Sequence, residues 1–192
     1  MKPASTTLRG DRTTTALLLI DLINTWGMAD GRKLLNQTLA ILPQLVRLKA
    51  RAATAHAPVI YVNDNFGQWR SDFKQVVARA RGATTGAARV VEALCPGSDD
   101  YFILKPRHSG FFSTPLDLLL QELNISRLVL CGVAGDQCVL ATASDALVRK
   151  YEVVVPRDTI ACAEASRTAA VLKHFRVVMD IPVVDSARVR WR

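Results

Sequence analysis

No apolar run in the 192-residue sequence reaches the length of a bilayer, so no transmembrane helix is expected. The beginning, Met1-Lys2-Pro3-Ala4-Ser5-Thr6-Thr7 and on through Arg9, Asp11 and Arg12, has no apolar h-region and reads as no secretory signal. Cysteine is scarce: residues 95, 131, 138 and 162 show neither C-x-x-C spacing nor the density of a disulfide scaffold. That usage fits a reducing compartment, and a cytoplasmic location is the expectation. The three histidines, His56, His108 and His174, stand apart without ligand spacing. Repeats, low-complexity tracts and linkers are absent too, so one domain over residues 1–192 is expected, with 1–14 as a polar N-terminal extension.

What is present is a basic, apolar-rich chain. Apolar residues make up 49% and charged ones 22%, a balance that suits a folded protein and argues against extensive disorder. The formal charge of +8 comes from scattered Lys and Arg, with only a modest cluster at Arg188, Arg190 and Arg192. Zinc-finger spacing and an aromatic-basic RNA signature are both missing, so a solvated basic surface is expected rather than a nucleic-acid partner. Attraction of anionic substrates stays open.

Along the chain, apolar runs alternate with segments of helical spacing. Thr15–Ile20 is a continuous apolar run, as for a strand buried on both faces. Further strands are expected at 58–63, 101–104, 127–131 and 153–155, and a sixth at 177–179 or 183–184. Helices are expected at 34–54 with Pro43 as a kink or restart, and at 72–81, 87–94, 114–123, 138–150 and 164–174. This order predicts an α/β protein, a three-layer α/β/α sandwich with a mostly parallel, roughly six-stranded sheet.

Parallel sheets place ligands at the carboxyl ends of their strands. Asp21 follows the first strand, Lys105 follows the third, and Cys138 lies just past the fourth. Each has an innocent alternative: a helix cap, a surface lysine before Pro106, a buried hydrophobe. Gathered on one edge, a carboxylate, an ammonium and a thiol make a working set for covalent hydrolysis. A thiol in the first turn of a helix is shifted toward thiolate by the dipole and a neighbouring lysine, and the carboxylate can carry its proton.

Three ordered motifs sharpen this reading: Leu19-Ile20-Asp21-Leu22-Ile23-Asn24-Thr25-Trp26, Lys105-Pro106-Arg107-His108-Ser109-Gly110-Phe111-Phe112, and Cys131-Gly132-Val133-Ala134-Gly135-Asp136-Gln137-Cys138-Val139. From about Ala16 to Val184 the chain resembles the isochorismatase-like cysteine hydrolases, among them nicotinamidases and N-carbamoylsarcosine amidases. The resemblance implies a Cys138, Asp21 and Lys105 triad, a cis peptide between Val133 and Ala134, and an oxyanion site made by the Ala134 and Cys138 N–H groups. It also implies self-association, as the apolar content suggests, with helical faces rather than sheet edges doing the pairing.

Departures qualify it. Ile23 stands where many relatives have glutamine. Nicotinamidases carry an Asp-x-His metal signature after the second strand, where this chain has Asp64 but Phe66, so no metal is expected. No organic cofactor is implied. Asn24, Trp26, Asn63, Phe66 and His108 are the candidate substrate-binding residues. The expected reaction is metal-independent hydrolysis of a small amide, carbamoyl or ureido compound through a thioester, with Asp21 protonating the leaving nitrogen and activating water. The rivals are an isochorismatase-type ether hydrolase, which would survive loss of the thiol, and a catalytically silent binding or redox protein with a reactive Cys138.

Overall fold

A computed structural model describes residues 13–192; most of the expected N-terminal extension, residues 1–12, lies outside them. Six strands form one all-parallel sheet: β1 (Thr15–Ile20), β2 (Val59–Asp64), β3 (Tyr101–Lys105), β4 (Arg127–Gly132), β5 (Glu152–Pro156) and β6 (Val183–Val184), in the order β3-β2-β1-β4-β5-β6. Every residue of β1 is buried, because this strand lies at the centre with helices above and below.

Six helices cross between the strands: α1 (Gly31–Thr54), α2 (Phe73–Ala83), α3 (Thr85–Ala93), α4 (Leu116–Glu122), α5 (Leu140–Val148) and α6 (Ala165–Val177). Right-handed crossovers assign α1, α2 and α3, which serve the β1-to-β3 half, to one face. The return through α4 and the outward steps through α5 and α6 use the other. The α1 helix starts three residues earlier than its apolar spacing predicts and runs through Pro43 unbroken. That proline is exposed, so its missing N–H is lost on the solvent side. The sixth strand falls at 183–184; residues 177–179 instead close α6. Among the described residues no helix is long and apolar enough to cross a membrane.

Strand order reverses between β1 and β4, which makes that boundary the topological switch point where a crevice opens at the carboxyl ends. Register keeps those ends level. Ile20 pairs with Gly132, and Asp64 pairs with Lys105. At Gly132 φ is +116°, and a Cβ there would fall on the Ile20 backbone carbonyl. Only glycine allows β4 to turn away so close to the central strand.

Candidate active site

Asp21 leaves β1 in the left-handed region, with φ 51°, while its N–H still reaches the Val62 carbonyl of β2 at 2.9 Å. A non-glycine residue in this region stores backbone strain, and here the turn directs the chain across the crevice. Its carboxylate is held on both oxygens. Oδ1 accepts the Asp64 N–H at 2.7 Å, and Oδ2 meets Lys105 Nζ at 2.9 Å.

Lys105 ends β3 and has no solvent-exposed surface, although its strand is two places away from β1. The length of the side chain spans that gap. Its ammonium also lies 3.4 Å from Asp64 Oδ2 and 3.4 Å from Cys138 Sγ. A buried ammonium needs such company, since breaking a buried ion pair leaves an uncompensated charge. Burial alone would push the lysine down, but Asp21, Cys138 and Asp64 together carry it above its ordinary value.

Cys138 departs from the expected helix start. A single π turn, Gly135–Val139, precedes α5, and its first i to i−5 bond runs from Val139 N–H to Ala134 O at 3.2 Å. The Cys138 N–H lies ahead of that bond, among the donors that a helix beginning leaves without an intrahelical partner. The Val133–Ala134 peptide is cis, as the resemblance implies. Ala134 and Cys138 both border a cavity of about 280 Å³ whose lining includes Asp21.

The thiol corrects one expectation. Lys105 favours thiolate, but burial and the Asp21 charge outweigh it and push Cys138 above the usual thiol range. Burial likewise raises Asp21, against the downward pull of Lys105. Burial thus raises both acids, and both compete for the one positive charge of Lys105, which lies beside each of them.

Among the candidate binding residues, Asn24, Phe66 and His108 border the cavity, and His108 Nδ1 stands 3.6 Å from Sγ. Trp26 and Asn63 do not. Trp26 is buried, its backbone N–H donating to Asn24 Oδ1 at 2.8 Å, and Asn63 Nδ2 donates to the Ile23 carbonyl at 2.8 Å. Both fix the loop after β1, a task that composition at a strand end does not distinguish from substrate contact. Ile23 itself is buried and brings no polar side chain to the cavity.

Two contributors went unread. Asp64 is more than a remnant of a metal signature: it touches Lys105 and supplies the N–H on Asp21. The strand-end rule that finds Asp21 finds Asp64 too. Arg167, at the cavity rim, pairs with Asp136 of the π turn at 2.6 Å, and no motif marks it. A metal does not fit here. Asp64 faces the Lys105 ammonium, Phe66 offers no donor, and the described residues contain no group of three or more His, Cys, Asp or Glu side chains set to hold an ion.

Known proteins resemble the chain in sequence and in fold. A family model described as the isochorismatase domain matches residues 15–187. An uncharacterised isochorismatase family protein of Bacillus subtilis is 37% identical over 146 residues, covering 76% of this chain and 80% of the relative. A ureidoacrylate amidohydrolase of Pantoea ananatis is 29% identical over 169 residues, covering 75% of this chain and 68% of its own. The crystal structure of a nicotinamidase from Staphylococcus aureus superposes with a TM-score of 0.68 at 25% identity, covering 90% of this chain and 99% of that one.

Proposed function

Because the chain belongs to the isochorismatase family, we propose that it is a metal-independent cysteine hydrolase that cleaves a C–N bond in a small amide, carbamoyl or ureido compound. The observation that carries this reading is the buried Lys105 ammonium, 2.9 Å from Asp21 and 3.4 Å from the Cys138 thiol. Two amidohydrolases among its relatives and structural neighbours, one acting on ureidoacrylate and one a nicotinamidase, support the bond type.

The chemistry follows from the placement of Asp21 and Lys105 around the thiol. Asp21 takes the S–H proton as Sγ attacks the carbonyl carbon, so the negative charge moves from carboxylate to sulfur and on to the carbonyl oxygen without leaving the reach of Lys105. The Ala134 and Cys138 N–H groups receive the oxyanion. Asp21 then gives its proton to the leaving nitrogen, the C–N bond breaks, and a thioester on Cys138 remains for water to hydrolyse. Asn24 and Phe66 flank the bound substrate. A cavity of about 280 Å³ suits a small substrate.

Replacing the nucleophile is the direct test. In a screen of primary amides and ureido compounds with ammonia detection, Cys138→Ala is expected to fold normally and lose turnover by at least about a thousand-fold. Retention of wild-type turnover by Cys138→Ala would overturn the covalent reading and favour ether hydrolysis.

A further inference from the structure

The strands that deliver Lys105 and Cys138 do not pair with each other. In the sheet β3 and β4 stand three places apart and share no backbone ladder, yet Nζ and Sγ lie 3.4 Å from each other. That short distance is set elsewhere. The chain after Lys105, residues 106–112, lies against α5, the helix that follows the Cys138 turn, and is fastened to it.

The fastening uses one face of the helix. Cys138, Thr142, Asp145 and Arg149 recur at intervals of four, three and four residues, the spacing of side chains stacked on one side. Each meets the loop. Cys138 Sγ stands 3.6 Å from His108 Nδ1, Asp145 accepts the Ser109 hydroxyl, and the Arg149 guanidinium lies 4.8 Å from the centre of the Phe111 ring. Thr142, fully buried, makes the central tie: its Oγ1 donates to the Cys138 carbonyl at 2.7 Å and accepts the Gly110 N–H at 3.0 Å. The single proton of the hydroxyl and one of its lone pairs are thereby committed, one to each partner. A Cβ at Gly110 would fall 2.8 Å from Val62 Cγ1, so the loop passes as close as glycine permits.

We infer that Thr142 is a positioning residue: one buried hydroxyl fixes the loop after Lys105 to the turn that carries Cys138, and thereby holds the ammonium within reach of the sulfur. The consequence for turnover rests on the covalent reading above, whereas the consequence for the thiol needs only the geometry. Without the hydroxyl, the buried Gly110 N–H loses its acceptor and the loop must shift to find another. Lys105 directly precedes that loop and moves with it. The charged or titratable groups that face the thiol are Asp21 from the end of β1, Lys105 from β3 and His108 from the loop, with Asp64 behind Lys105 and Asp30 and Arg167 on the cavity rim. Lys105 favours thiolate and Asp21 opposes it, so a withdrawn ammonium leaves the thiol harder to ionise.

Thr142→Val keeps the shape of the side chain and removes the hydroxyl, while Thr142→Ser keeps the hydroxyl. In Thr142→Val the rise of iodoacetamide alkylation at Cys138 is expected to move upward by about half a pH unit or more. Single-turnover acetylation of Cys138 by 4-nitrophenyl acetate, read by mass spectrometry, should be about ten-fold slower. Thr142→Ser should restore both. A merely loosened core would instead expose the thiol and move the alkylation profile downward, because burial is what raises it. Added to Lys105→Met, Thr142→Val should shift the profile no further, since its effect runs through the ammonium. Ser109→Ala cuts the neighbouring tie and is expected to act in the same direction, which serves where Thr142→Val does not fold. A wild-type or lowered profile in Thr142→Val, no recovery in Thr142→Ser, or an undiminished further shift on the Lys105→Met background overturns the role of Thr142. Absence of acetyl-Cys138 in the wild type overturns the covalent reading and leaves the alkylation profiles to decide on Thr142.

Discussion

Cys138 feels two charges of opposite sign, so the two neighbours should move its titration in opposite directions. Asp21 raises the thiol and Lys105 lowers it. In Asp21→Asn the repulsion is gone, and the rise of iodoacetamide alkylation at Cys138 with pH is expected to shift to lower pH even as amide turnover disappears. In Lys105→Met only burial and Asp21 remain, and the rise should shift to higher pH. Alkylation rates at position 138 between about pH 7 and pH 12 check both signs, a range set above the ordinary thiol value of about 8.5 because burial raises this thiol. A shift in the same direction for both variants would contradict the shared-charge arrangement. Lys105→Met also strands a buried carboxylate, at a cost of about 3–5 kcal/mol in urea unfolding.

Elements matter here through how they end. The β4 strand stops at Gly132, where the positive φ and the nearness of Ile20 leave no space for a side chain. Gly132→Ala forces β1 and β4 apart at the point where Asp21 and the π turn begin. The expected result is a loss of about 1–3 kcal/mol in stability, read as a lower urea midpoint with reduced turnover in the fraction that stays folded. An unchanged midpoint would show that the switch point tolerates a wider separation. The π turn is anchored from outside as well: the Gly135 N–H donates to the Ala161 carbonyl at 2.9 Å, and Arg167 of α6 grips Asp136. Cys138 is therefore held by the segment after β5 as much as by β4.

At the scale of the whole molecule the sheet edge is uneven. On the outer strand β3, Tyr101 and Phe102 are exposed, and Leu118 of α4 is exposed in a hollow that both share. Exposed aromatic and aliphatic groups gathered this way favour burial against another surface. Self-association, implied at the outset through helical faces alone, is accordingly expected at this edge of β3 and α4, with a second copy of the chain as partner. Light scattering across the micromolar range should return a mass above that of one chain. A concentration-independent monomer would count against it.

The sequence by itself determined the alternation of strands and helices, because buried parallel strands read as apolar runs and amphipathic helices as periodic ones. It also determined that Asp21, Lys105 and Cys138 share one edge, since each follows a strand and all the strands point the same way. Only the tertiary structure decided how those residues meet. A strand-end position does not tell whether a residue borders the crevice, as Asn24 does, or lies away from it and ties a loop, as Asn63 does with Ile23. The sign of the thiol shift was equally out of reach, because it depends on burial and on distances between groups far apart in the chain, and these outweigh the local effect of a helix start. The nearness of His108 to Cys138, thirty residues apart, exists because Thr142 bonds to the loop of one and the backbone of the other. Periodicity records which face of an element is buried; it carries no information on such pairwise contacts, which close packing fixes only once the whole chain has folded.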